Sequence, residues 1–145
     1  MSEFKRVTPD FAVAGQLGTD DVGRAAAEGY RTIISNRPDG EMPGQPSASE
    51  IKAAAEAAGL TFRQIAISGL PPAPAAVMET AQVLDEANRP VLAYCRSGTR
   101  SITAWALAQA LSGSHTPDEI IALAQKAGYD LTGARGALET LAPKA

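Results

Sequence analysis

Short apolar, β-branched runs alternate along this chain with longer Ala-rich stretches. FAVA at 11–14, RTIIS at 31–35, TFRQIA at 61–66 and PVLAY at 90–94 read as strands. Helices fall between them. The first lies near 20–28 with Thr19 and Asp20 as its caps, and the second near 48–58, where Ser47 and Glu50 have capping-box spacing and Gly59 marks the end. A third runs from about Pro74 to Ala87, with proline accommodated in its first turn. Beyond Tyr94 the pattern is helical throughout: about 100–112, then a helix opened by Thr116, Pro117 and Glu119 and closed by Gly128, then a short one over 133–141. This alternation predicts a three-layer α/β fold, a mostly parallel sheet flanked by helices, with a helical C-terminal layer. The longest irregular stretch, NRPDGEMPGQPSA at 36–48, is rich in Pro and Gly, and its length predicts a functional loop.

At 145 residues the chain is long enough to bury one core without disulfides or a structural metal, so a single domain over 1–145 is expected. A net charge of −3 argues against a nucleic-acid partner, which usually demands a basic excess. The start, MSEFKRVTPDF, lacks a signal-peptide core, and no apolar run approaches the ~20 residues of a membrane span, so a cytoplasmic protein with no membrane partner is expected. One Cys and one His are too few for a zinc site, and a lone Cys forms no internal disulfide; neither metal nor cofactor is expected.

That one cysteine, Cys95, lies in VLAYCRSGTRS at 91–101, directly after the most apolar strand. In open α/β sheets ligands bind at the carboxyl ends of the strands, which gives Cys95 a functional position. Arg96, Ser97, Gly98 and Thr99 form a turn, and a helix begins near Arg100. Such a turn aims backbone N–H groups inward as an anion nest, with the positive end of the helix behind it. The amides, the helix and a nearby guanidinium all favour negative charge on sulfur, so Cys95 reads as an activated nucleophile. The same cradle fits a substrate oxyanion, to which Arg100 offers two parallel donors. Ser101 is placed to hydrogen-bond the thiolate. Most free cysteines are small buried hydrophobes; the strand before and the helix after set this one apart.

Other residues weigh less. Arg96 points outward in a loop of this kind and attracts anionic substrates without joining the chemistry. Arg37, Asp39 and Glu41, in the long loop, are candidates for reaching the cleft, although RPDGE has the ordinary reading of a solvated turn. His115 reads as a surface residue and Trp105 as core packing.

CRSGTRS resembles the active loop of two enzyme groups, rhodanese-type sulfurtransferases and cysteine-dependent phosphatases of the tyrosine and dual-specificity kind. FAVAGQLGTDDVGRAAAEGYRTIISNRPDGE is similar to the opening of small dual-specificity phosphatases, and the Gly-Gly-Trp stretch that usually follows the rhodanese loop is absent. With its tail, RSITAWALAQALSGSHTPDEIIALAQKAGYDL, the chain is identified as a member of the phosphatase-like domain family of β-lactamase-hydrolase-like proteins. In bacteria these domains are fused to, or encoded with, β-lactamase-like sulfur hydrolases. The resemblance implies a dual-specificity/tyrosine phosphatase-like fold, Cys95 as nucleophile, the 96–100 amides as cradle and Arg100 as anion clamp. It also implies a metallo-β-lactamase-like sulfur hydrolase as partner.

Two departures bear on the chemistry. Cysteine phosphatases place five residues between Cys and Arg, whereas Cys95 and Arg100 enclose four, the rhodanese spacing. The phosphatases also supply an aspartic general acid from a separate loop, and the matching stretch here, IAISGLPPAPAA, has no carboxylate; Asp39 or Glu41 is the candidate substitute. Losing a general acid typically costs about 10²–10⁴-fold, whereas sulfur transfer expels a stable anion and needs no acid. The expectation is therefore a sulfurtransferase in which Cys95 carries a persulfide from a small anionic or persulfide substrate to an external thiol such as glutathione. A phosphatase acting through phosphocysteine, and a non-catalytic anion-binding module, are the alternatives.

Overall fold

Four parallel strands and one antiparallel edge strand form the sheet. A computed structural model describes residues 2–143. The elements are β1 (Lys5–Thr8), β2 (Phe11–Ala14), α1 (Thr19–Ala27), β3 (Thr32–Ser35), α2 (Ala48–Ala57), β4 (Thr61–Gln64), α3 (Pro74–Glu86), β5 (Val91–Tyr94), α4 (Thr99–Ser112), α5 (Pro117–Lys126), a 3₁₀ turn (Thr132–Ala134) and α6 (Arg135–Leu141). Strand order is β1-β2-β5-β3-β4, with β5 between β2 and β3 in parallel register: Ala14, Tyr94 and Ser35 are level with one another.

Side-chain alternation along the strands divides the core into two faces. Ala12, Ala14, Ile33, Leu92 and Tyr94 pack on Val22 and Ala25 of α1 and Ile51 and Ala55 of α2. Phe11, Val13, Ile34, Val91 and Ala93 face the other layer, formed by Val77 and Val83 of α3, Ile102 and Trp105 of α4, and Ile120 and Leu138 of the C-terminal helices. Central strands covered on both faces must be apolar throughout, which is why FAVA and VLAY carry no polar alternation.

Three details differ from the sequence expectation. β1 is an additional strand, paired antiparallel to β2; only Val7 of KRVT is buried, so it lacks a strand's apolar pattern. α1 is entered from Gly18, whose N–H donates to the Asp21 carboxylate at 2.8 Å, in place of caps by Thr19 and Asp20. β4 ends at Gln64, two residues before the end of TFRQIA. The capping boxes at Ser47/Glu50 and Thr116/Glu119 form as the spacing requires.

Candidate active site

β5 delivers Cys95 to the centre of the sheet's carboxyl edge, where its N–H donates to the Ala14 carbonyl at 3.3 Å. The side chain is 1% exposed. The chain then turns through Arg96, Ser97 and Gly98 and enters α4 at Thr99. Gly98 makes this turn possible with φ of 92°, in the left-handed region that glycine tolerates. Its N–H donates to Cys95 Sγ at 3.1 Å. Sulfur thus meets a backbone donor at the N-terminus of a helix, an arrangement that stabilises negative charge on it.

Arg100, one residue into α4, has its guanidinium held by two neighbouring loops. Nη1 and Nη2 donate to Glu41 Oε2 and Oε1 at 2.8 and 2.9 Å, and Nη1 also donates to the Ile67 carbonyl at 2.7 Å. Both Nη groups, expected to face a substrate oxyanion, are thus engaged by Glu41 instead. The Glu41 hydrogen bonds hold Arg100 above the ordinary arginine range against the opposing effect of burial, with a further contribution from the charge of Cys95.

Glu41 is the hub. It also accepts from Arg37 Nε at 2.8 Å, and hydrogen bonds from Arg100 and then Arg37 lower its carboxyl to about 2. It is ionised at any ordinary pH and holds no proton to donate. Arg37 is only 4% exposed and reaches back through Nη1 to the Gln16 side-chain oxygen at 3.0 Å. Gln16 lies just beyond β2, and its backbone N–H donates to the Arg96 carbonyl at 3.4 Å. Two guanidiniums against one carboxylate leave this cluster with a positive excess.

The long loop that carries Arg37 and Glu41 is pinned at its root. Asn36 N–H donates to the Tyr94 carbonyl at 2.8 Å, and its side-chain amide donates to the Ile65 carbonyl at 2.8 Å. Asp39 Oδ1 accepts from Ala48 N–H at 2.8 Å, fastening the loop to the start of α2.

The predicted site residues therefore divide. Cys95, Gly98, Arg100, Arg37 and Glu41 come together, and the solvated-turn reading of RPDGE is corrected for Arg37, which is buried, and for Glu41, which stays exposed but bonds both guanidiniums. Asp39 belongs to the root of α2 instead. Ser97 and Thr99 hydroxyls bond one another at 3.1 Å, and Arg96 is exposed at the rim. Ser101 Oγ is buried with no hydrogen-bond partner, so it makes no bond to Sγ. Trp105 is core, stacked on Phe11 at 5.6 Å, and His115 is half-buried near it, with centroids 6.3 Å apart. Sequence reasoning missed Gln16 and Tyr129. Gln16 carried one usable signal, its place just past a parallel strand; Tyr129, whose hydroxyl donates to the Ser97 carbonyl at 2.8 Å, carried none.

A cysteine at the end of a central parallel strand, a glycine-turned loop and an arginine on the following helix define a cysteine-phosphatase-like fold. The structure of Tk-PTP in its active form shares it, with a TM-score of 0.73 at 17% identity over 95% of each chain. More specifically, the family model for the beta-lactamase hydrolase-like protein, phosphatase-like domain, matches residues 3–112, and the chain belongs to that family. A candidate phosphatase from Neisseria meningitidis z2491 is 36% identical, with a TM-score of 0.81 over 94% of this chain and 96% of that one. The beta-lactamase hydrolase-like protein of Agrobacterium fabrum (strain C58) is 37% identical over 92% of this chain but 31% of its own length. This chain thus spans about a third of the curated relatives it matches.

Proposed function

We propose that this chain is a cysteine-dependent phosphatase for phosphate substrates whose leaving group departs as an anion without needing a proton. The observation that carries the reading is the pairing of Sγ, hydrogen-bonded by the Gly98 amide, with an Arg100 guanidinium that interacts with Cys95 and is fixed in place by Glu41 and Ile67. The family and the phosphatase-like fold support the same class.

In the first step the Cys95 thiolate attacks phosphorus. An S–P bond forms, the P–O bond to the leaving group breaks, and the leaving group takes the electron pair. Loop amides and Arg100 balance charge on the equatorial oxygens. In the second step water attacks phosphocysteine, the S–P bond breaks, the thiolate is regenerated, and the proton lost by water leaves on inorganic phosphate. Glu41, held ionised by two arginines, serves as a strut for Arg100 and does not supply the leaving-group proton. This favours aryl phosphates, acyl phosphates and phosphoanhydrides over alkyl esters.

The four-residue spacing between Cys95 and Arg100 favours a second reading, sulfur transfer. There the thiolate attacks the outer sulfur of thiosulfate, the S–S bond breaks, and sulfite leaves with the electron pair. A thiolate such as glutathione's then takes the outer sulfur from the Cys95 persulfide and regenerates the thiolate. A metallo-β-lactamase-like sulfur hydrolase is the proposed partner in that case, supported by the relatives' name and greater length.

Wild type and Cys95→Ser, given an aryl phosphate and, separately, thiosulfate with cyanide, test both. Cys95-dependent phosphate release is expected. Thiocyanate formation with no phosphate release would replace the first reading by the second, and equal inertness of both proteins on both substrates would leave only anion binding.

A further inference from the structure

The Ser97–Gly98 peptide unit is held at both ends. Its N–H donates to Cys95 Sγ at 3.1 Å, and its carbonyl accepts from the Tyr129 hydroxyl at 2.8 Å. Because the two groups belong to one planar amide, fixing the carbonyl fixes where the N–H points. Gly98 makes such a hold necessary. A glycine adopts φ of either sign at little cost, so nothing within the residue stops this peptide from turning over and presenting its carbonyl oxygen to the anion site. A carbonyl there would repel both the thiolate and a bound oxyanion.

Tyr129 is well placed for the task. It follows α5, and the Lys5 ammonium on β1 lies over its ring, 4.8 Å from the centroid, a cation–π contact that helps hold the ring in place. Burial pushes its phenol above the ordinary tyrosine range, so it remains a donor at working pH. A Cβ on Gly98 would run into the Tyr129 hydroxyl, so the loop and the phenol are fitted to each other. Tyr129 also lies beyond residues 3–112, the part of the chain that the family model matches.

We propose that Tyr129 is a positioning residue of the active loop: its hydroxyl locks the Ser97–Gly98 peptide so that the Gly98 N–H points at Cys95 and the anion. The C-terminal segment would then complete the site. The proposal rests on the reading of the 95–100 loop as an anion-binding active loop, and its test works without turnover.

In ¹⁵N-labelled protein the Gly98 amide resonance should move strongly between wild type and Cys95→Ala, because the side-chain acceptor of its N–H is removed. In the Tyr129→Phe background, which keeps the ring and loses only the hydroxyl, that response should largely disappear. Binding of inorganic phosphate should weaken about tenfold, the scale of one lost hydrogen bond, with the melting temperature nearly unchanged. An undiminished Gly98 response and wild-type phosphate affinity in Tyr129→Phe would overturn the proposal, and so would a lower melting temperature with both retained, which would make Tyr129 a packing residue. If wild type turns over neither phosphate nor thiosulfate while the Gly98 response depends on Tyr129, the functional reading fails and this inference stands.

Discussion

Arg100 and Arg37 converge on one carboxylate, and the consequences can be worked out group by group. Glu41 falls from an ordinary value of 4.5 to about 2, first because Arg100 and then because Arg37 donates to it. A carboxyl whose folded-state value is depressed contributes stability that is fully present above its unfolded value and is lost as pH falls through the folded one. The stability gap between wild type and Glu41→Gln should therefore be constant above about pH 5 and close between about 4.5 and 2. Chemical denaturation across that range measures it; a gap that persists at the acid end would contradict the ion pairs. Arg100→Lys keeps the charge and loses the fork. It should raise the KM for an aryl phosphate and lower kcat/KM by about 10²-fold or more, with little change in fold. Retained kcat/KM would mean that Arg100 does not clamp the substrate.

Among the elements, the loop between β5 and α4 is the most constrained. Gly98→Ala places a side chain at φ of 92° and against the Tyr129 hydroxyl. Left-handed backbone alone costs about 1–2 kcal/mol for a non-glycine residue, so this variant should melt several degrees lower and lose most activity. Wild-type turnover in Gly98→Ala would show that the turn can be remade without glycine. Helix α2 gives a contrasting case: Ser47→Ala removes the side-chain acceptor for Glu50 N–H, 3.1 Å away, and touches none of the groups bonded to Cys95 or Arg100. Its expected cost is about 1 kcal/mol of stability with activity unchanged, read from denaturation and turnover together.

The same contrast explains what was legible in the sequence. Strands β2, β3 and β5, the capping boxes of α2 and α5, and the strand–turn–helix around Cys95 were all readable, because each depends on residues close together in the chain. β1 was not, since an edge strand with one buried side chain leaves no periodic signal. The partners of Arg100 were not either. Glu41 and Ile67 reach it across sequence separations of 59 and 33 residues, and Tyr129 reaches Ser97 across 32. Nothing local in RPDGE or AGYDL encodes those approaches; the sheet order and helix packing create them.

At the scale of the molecule, the family-matched part and the C-terminal helices share one apolar layer. Ile120, Ile121 and Ala124 of α5, Leu131 and Leu138 pack in the same cluster as Ile102 and Trp105 of α4. A chain ended after Ser112 would leave that face of α4 uncovered, and it should be insoluble or unfolded by circular dichroism. A cooperative, native-like melt from that fragment would show that the C-terminal layer is dispensable to the fold. Among the described residues no helix is long and apolar enough to cross a membrane. The proposed mechanism has Cys95 carry a phosphoryl group between two half-reactions. Wild-type protein mixed with an aryl phosphate, quenched in acid and digested, should yield the Cys95 peptide heavier by one phosphoryl group. The adduct should be absent from Cys95→Ser and present in larger amount when hydrolysis is slowed. Phosphate release with no covalent adduct, or release that continues in Cys95→Ser, would contradict the central claim.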